Sequence, residues 1–246
     1  YPVTAIVFEG SGVSVADLRR PLGAIASSHA ADIAVQEAGL DRRGQYLVVM
    51  DVDSTFIQDE VIDLLADEAG VMPEVAEITA RAMAGELDFE ASLRARAALL
   101  EGLAATALDN VRARITLTPG ARTLCRTLNR LGYRVALVSG GFTEVIKPLA
   151  AELGVSDVRA NTLEVRDGIL TGKVVGPVID RLGKKAALEQ FARVYEIPLR
   201  RTIAIGDGAN DIDMLEAAGL GIAFNAKASA RAAADTAVNV PYLDSV

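Results

Sequence analysis

Three short runs hold residues that could do chemistry together: Asp51-Val52-Asp53-Ser54-Thr55, Ser139-Gly140-Gly141 and Gly206-Asp207-Gly208-Ala209-Asn210-Asp211. Each follows an apolar stretch of strand length. In open parallel sheets ligands bind beyond the carboxyl ends of the strands, so three such ends in one sheet converge on one crevice. The carboxylates of Asp51, Asp53, Asp207 and Asp211 would repel one another there unless something positive sat among them. A hard divalent ion resolves this, and Mg2+ suits an all-oxygen ligand set with no soft ligand at hand. Opposite the acids, Ser139 and the amides of Gly140 and Gly141 precede an expected helix N-terminus and suit phosphate oxygens. Without the aspartates, the same three residues would read as a plain strand-to-helix turn.

Composition narrows the chemistry further. The 246 residues include one Cys, one His and no Trp, with a formal net charge of -8. A single Cys125 excludes an internal disulfide or a multi-thiolate metal site, and a single His29 excludes any site that needs two imidazoles. Cys125, near Leu124 and Leu128, is expected in the core or at its boundary, and His29 at the surface or an interface. The acidic balance argues against nucleic acid and against an anionic membrane surface, since both call for a basic face. No apolar run approaches the roughly 20 residues of a membrane span, and no signal-like start is present. A cytoplasmic protein is expected. Tyr1 leads straight into a strand-like run, which suggests a longer parent polypeptide.

These residues need a scaffold, and the periodicity supplies one. Short apolar runs alternate with amphipathic helices, the pattern of a parallel sheet covered on both faces. A strand is expected over 2–8, a helix over 15–30 interrupted near Pro21, and a strand over 32–35, followed by a polar break at 41–44. The run 46–50 ends abruptly in acid, as a buried strand does when it delivers a residue to the sheet edge. Between 57 and 115 only helical pattern is found, punctuated by Gly70, Pro73, Gly85 and Gly102. Thr118 and Pro119 read as N-cap and first residue of the next helix. Strand 135–138, a helix from Thr143, a hairpin of 158–165 with 169–175 turned at Asp167-Gly168, and a helix from Lys184 come next. Strand 202–205, a helix from Asp211, strand 221–224 and a last short helix and strand complete an α/β, Rossmann-like fold.

With its motifs in this order, the chain from about Leu47 onward resembles the haloacid-dehalogenase superfamily of phosphotransferases, and within it the phosphoserine phosphatase family. The resemblance implies a catalytic core over 45–56 and 116–246, with a small helical cap, 57–115, inserted after the first core strand. It implies that Asp51 is the nucleophile, forming an aspartyl-phosphate, and that Asp53 is the general acid and later the base that activates water. Mg2+ would be held by the side chains of Asp51 and Asp207 and the backbone carbonyl of Asp53, with Asn210 and Asp211 completing the phosphate and metal site. Residues 1–44 resemble part of an ACT-type regulatory unit.

Two cations fall where local preference would not put them. Lys184 lies on the apolar stripe of Leu188, Phe191, Ala192 and Tyr195, at a helix start where the macrodipole disfavours it, whereas Lys185 points elsewhere. The resemblance assigns the phosphate-binding lysine to this stretch; a Lys snorkelling from a frayed helix start is the other reading. Arg96 lies on the stripe of Phe89, Leu93, Leu100 and Leu103, where a guanidinium suits a substrate carboxylate, although its stem could simply cover apolar surface. Glu60, an ordinary helix-start acid by position, matches the family's ligand for the substrate amine. Met83 and Phe89 match apolar pocket positions or are cap packing. Together these residues describe phosphoserine. The expected activity is Mg2+-dependent hydrolysis of phosphoserine to serine, the last step of serine biosynthesis. The alternatives are another small phosphorylated metabolite as substrate, or a non-enzymatic amino-acid sensor. A homodimer is compatible with either.

Overall fold

The computed structural model describes residues 10, 12–29, 31–36 and 44–246. The strand expected over 2–8 and the break at 41–43 lie outside them. The apolar run before Asp51 forms β1 (Leu47–Met50), buried along its whole length. Successive side chains of a strand point to opposite faces. Accordingly Val48 and Met50 enter one apolar cluster, and Leu47 and Val49 the other. That is why the run is apolar throughout rather than alternating.

β1 is the middle of a seven-stranded sheet. Its partners are β2 (Arg134–Phe142), β3 (Asp157–Arg166), β4 (Ile169–Val175), β5 (Thr202–Gly206), β6 (Leu220–Phe224) and β7 (Thr236–Val238), in the order β4-β3-β2-β1-β5-β6-β7. All pairs are parallel except β3 with β4. The hairpin turns at Asp167-Gly168, both at positive φ, as a tight two-residue turn requires.

The helices are α1 (Val15–His29), α2 (Val61–Ala69), α3 (Met72–Met83), α4 (Phe89–Ala98), α5 (Thr106–Arg114), α6 (Ala121–Arg130), α7 (Thr143–Glu152), α8 (Arg181–Val194), α9 (Ile212–Ala217) and α10 (Ala228–Ala233). Leu188 and Phe191 of α8, Met214 of α9 and Ala230 of α10 cover one face of the sheet. Cys125 of α6 and Ile146 of α7 cover the other, together with Leu65, Val75, Leu93 and Leu108 from α2–α5. The insertion α2–α5 is fastened to the β3–β4 hairpin by backbone bonds. Gly102 donates to the Leu170 carbonyl at 2.9 Å, Leu170 to Leu103 at 2.8 Å, and Ala105 to Gly168 at 2.8 Å. These bonds satisfy groups that an edge strand would leave open.

Several expectations shift. α1 runs through Pro21 without a break. Residues 31–36 are extended but belong to no strand, so no strand forms over 32–35. Side-chain bonds hold this segment beside β7: the Thr236 hydroxyl donates to the Ile33 carbonyl at 2.8 Å, and Asp32 accepts both the backbone and the side-chain N–H of Asn239. α6 begins at Ala121, not at Pro119, because Gly120 takes a left-handed φ of 85° that interrupts the helix before it; Asp244 lies where a Cβ at 120 would sit. α8 begins three residues before Lys184, capped by Asp180. His29 is exposed and Cys125 buried. Among the described residues no helix is long and apolar enough to cross a membrane.

Candidate active site

Asp51 directly follows β1, Asp207 directly follows β5, and Ser139 lies within β2. These three strands are neighbours in the sheet, and the Asp51 N–H donates to the Ile205 carbonyl at 2.9 Å. Beyond Asp51 the chain makes one wide turn over Val52–Phe56, closed by the Ile57 N–H on the Val52 carbonyl. Ser54 within it has φ 59°, a left-handed conformation that costs a non-glycine residue energy and clusters at functional sites. Its hydroxyl donates to Glu60 Oε1 at 2.8 Å.

Asp53 links the sheet to the insertion. Its Oδ1 accepts the Val61 N–H at 2.8 Å, filling the capping role that Glu60, the residue before α2, leaves unfilled. Its Oδ2 accepts the Ser139 hydroxyl at 2.8 Å, and Ser139 Oγ in turn accepts the Gly141 N–H at 2.7 Å. Ser139-Gly140-Gly141 is therefore part of β2, not a turn after it.

The acid cluster is organised around one cation. Lys184 is 1% exposed, and its Nζ lies 2.6 Å from Asp51 Oδ1 and 2.8 Å from Asp211 Oδ1. Asp51 Oδ1 also accepts the Val52 N–H at 2.7 Å, so among the described residues the donors to this carboxylate fall on one oxygen and leave Oδ2 free. Asp211 Oδ2 takes the N–H groups of Asp207 and Gly208, and Asp207 Oδ1 takes the Thr55 hydroxyl at 3.1 Å. Position 206 must be glycine for this to fit, since a Cβ there would lie 2.5 Å from Asp211 Cγ. One carboxylate oxygen each from Asp51, Asp207 and Asp211 lie within 4.8 Å of one another, a set that could hold a divalent cation. The Asp53 carboxyl is not in that set.

The electrostatics follow from this crowding. Burial first, and then the charge of Asp211, push Asp51 above the usual carboxylate range against the pull of Lys184. Burial and Asp211 do the same to Asp207. Burial raises Asp53, opposed by its bonds from Val61 and Ser139. Burial pushes the Lys184 pKa down, but Asp51 and Asp211 outweigh it and raise it above the ordinary lysine value, which holds the ammonium charged. Three carboxylates around one ammonium leave an excess of negative charge, the condition under which a second cation is favourable.

The other expected residues differ in how close they come to this cluster. Glu60 is exposed, yet the protein around its carboxyl and the nearby charge of Asp53 push it up to about 7. Arg96 is half-buried and donates through Nε to the Ser92 carbonyl at 3.3 Å. Desolvation lowers its pKa, while Asp63, Glu60 and Asp53 pull the other way. The Phe89 ring covers Gly140, its Cζ 3.0 Å from where a Cβ would sit, and the Asn210 side-chain oxygen lies over Gly208. Met83 ends α3 at 80% exposure, so it is not brought into the cluster. Sequence reasoning passed over Ser54 and Thr55, which the first motif contains, and Asn161, which lies inside a hairpin with no motif around it.

The sequence pattern of the haloacid dehalogenase-like hydrolases matches residues 48–216, and the match spans β1 through most of α9. The chain belongs to the haloacid dehalogenase-like hydrolases. Within that family it is 61% identical to a phosphoserine phosphatase of Streptomyces coelicolor over 246 residues, all of this chain and 60% of that one. This haloacid dehalogenase-like chain thus spans about three fifths of the length of that relative. A phosphoserine phosphatase of Streptococcus thermophilus is 51% identical over 197 residues, 80% of this chain and 92% of that one. A solved phosphoserine phosphatase, a phospho-aspartyl intermediate analogue, matches with a TM-score of 0.76 at 43% identity, over 82% of this chain and 96% of the other.

Proposed function

We propose that this chain hydrolyses phosphoserine to serine and phosphate through an aspartyl-phosphate on Asp51. The observation that carries the proposal is the state of Asp51: buried, with Oδ1 pinned by Lys184 and Val52, Oδ2 left without a donor among the described residues, and Asp53 near enough for its charge to act on it. A carboxylate nucleophile divides a hard hydrolysis into two easier displacements. Oδ2 forms a bond to phosphorus as the bond to the seryl oxygen breaks, and Asp53 gives that oxygen its proton. Asp53 then takes a proton from water, whose oxygen attacks phosphorus and returns the Asp51 carboxylate. A raised Asp53 pKa suits a group that must carry a proton between the two steps.

Asp51 and Asp207 are the side chains we assign to Mg2+. Both oxygens of Asp211 already accept protein donors, so it acts from behind them. When bound, the ion would reduce the charge on the phosphoryl oxygens, allowing an anion to approach a dianion. Lys184, Ser139, the amides of Gly140 and Gly141, and Asn210 hold the phosphoryl group. Residues 57–115 act as a cap that reads the amino-acid end, with Glu60 on the ammonium, Arg96 on the carboxylate and the Phe89 ring closing over the cradle. Met83 would join them only by moving inward.

Phosphate release from phosphoserine, phosphothreonine and sugar phosphates, with Mg2+ or EDTA, tests the reading. Preferential, EDTA-sensitive turnover of phosphoserine is expected, with both turnover and phosphoenzyme lost in Asp51→Asn. No turnover of any substrate, or a labelled phosphoenzyme in that variant, would remove the nucleophile assignment. A preference for sugar phosphates would remove the roles given to Glu60 and Arg96.

A further inference from the structure

Asn161 is wholly buried in β3, and both ends of its side chain are used. Its Nδ2 donates to the Gly140 carbonyl at 2.8 Å, and its Oδ1 accepts the Ile179 N–H at 2.8 Å. The first bond bears on the anion site through elementary peptide geometry. In a trans peptide the C=O and the following N–H point in opposite directions. Drawing the Gly140 carbonyl toward β3 therefore aims the Gly141 N–H the other way, and it is found on Ser139 Oγ, which in turn bonds Asp53.

Apart from that Gly141–Ser139 bond, no ladder pairing among the described residues enforces the orientation. The register of β2 with β3 shifts between Val138 and Phe142, so residues 139–141 fall in the irregular stretch, and the register resumes with Phe142 opposite Asn161. β1 pairs with β2 only as far as Leu137. Reversing the peptide needs rotation about ψ of Gly140 and φ of Gly141, and glycine restricts neither strongly. A ladder gap beside two glycines is where a peptide would flip, and the Asn161 amide stands in that gap. Its second bond reaches the lead into α8. Ile179 is followed by Asp180, which caps α8 through the Gly183 N–H at 2.7 Å, and Lys184 lies four residues beyond Asp180.

We propose that Asn161 is a positioning residue of the anion site: it prevents the Gly140–Gly141 peptide from flipping, so that the Gly141 N–H stays on Ser139 Oγ and fixes the hydroxyl that a bound phosphate would meet, and it sets that peptide relative to the helix bearing Lys184. The proposal rests on the phosphate-site reading above and concerns anion binding, so it is testable without turnover.

The most informative variant is Asn161→Asp, which keeps the shape and the acceptor for Ile179 but faces the Gly140 carbonyl with an oxygen. Affinity for inorganic phosphate in the presence of Mg2+ is expected to fall by about 10- to 100-fold, the effect of leaving a buried carbonyl unsatisfied. The deficit relative to the native protein should grow with pH between about 5 and 9, because the protonated carboxyl can still donate to Gly140 and the ionised one cannot. A deficit of equal size at every pH, or native affinity throughout, would overturn the proposal. Should that variant not fold, the native protein decides. Its Gly141 amide resonance, assigned by nitrogen-15 labelling, is expected to shift on addition of phosphate as the Ser139 hydroxyl it bonds turns to the anion, and an unmoved resonance in a protein that binds phosphate would overturn the clamp. Native protein that binds phosphate but leaves phosphoserine intact would instead count against the proposed activity.

Discussion

At the strand ends Asp51, Asp211 and Lys184 satisfy one another, whereas across the cleft neither Glu60 nor Arg96 has an ion-pair partner among the described residues. The first region is buried and held by bonds of 2.6–2.8 Å from Lys184. The second offers an exposed carboxyl and a half-buried guanidinium that influence each other without touching. On the proposed activity, groups that would meet the same phosphoryl chemistry every time are fixed before substrate arrives, which removes reorganisation from the reaction. On the same proposal, the groups that would select the amino acid are left with unspent hydrogen-bonding capacity, so that a ligand supplying both an ammonium and a carboxylate would satisfy them.

Replacing Lys184 tests the first half of that contrast and should have the largest effect. Lys184→Met leaves buried carboxylates without their counter-charge, and removing one partner of a buried pair costs about 3–5 kcal/mol. Denaturant unfolding in EDTA should show a loss of that order, partly recovered by Mg2+, together with loss of turnover. Unchanged unfolding in EDTA would show that the ammonium is not what holds the acids together.

Arg96→Ala should be smaller and selective. We expect kcat/KM for phosphoserine to fall roughly 100-fold, in line with the loss of a charged, partly desolvated hydrogen-bonding partner. A phosphate ester without the carboxylate should lose little, and thermal stability should change little. Equal losses on both substrates would make Arg96 a general electrostatic or packing residue and erase the contrast.

The smallest effect is a pH limb. Glu60, raised to about 7, is uncharged below that pH and cannot pair with an ammonium. The ratio of kcat/KM for phosphoserine to that for its desamino analogue should therefore rise about tenfold as pH increases through 7, the scale of one charge-assisted bond. Glu60→Gln should flatten the ratio, and a limb that persists in Glu60→Gln would assign it to another group.

Much of this was legible because each signal was local. The run 46–50 had to be a buried central strand, and the Asp167-Gly168 turn had to join two strands, since composition and turn chemistry act over a few residues. Lys184 and Arg96 stood out because each breaks a helical preference on an apolar stripe. The misplaced boundaries have different causes: at Gly120 the contact with Asp244 is tertiary, whereas α8 starts at Arg181 because Asp180 caps it through Gly183, a local signal. The segment 31–36 lies along β7 through side-chain bonds, which hydropathy does not register.

Residue types and their order along the chain determined by themselves that carboxylates, an amide-rich strand end and a buried cation would share one sheet edge, because period-two burial and strand-end polarity are properties of the chain. Which Asp51 oxygen is free, that Asp53 caps α2, and that Asn161 holds the Gly140 peptide were decided only by tertiary structure. Those are choices among hydrogen-bond partners 8 to 133 residues apart, made by the packing of separate strands and helices rather than by any local preference.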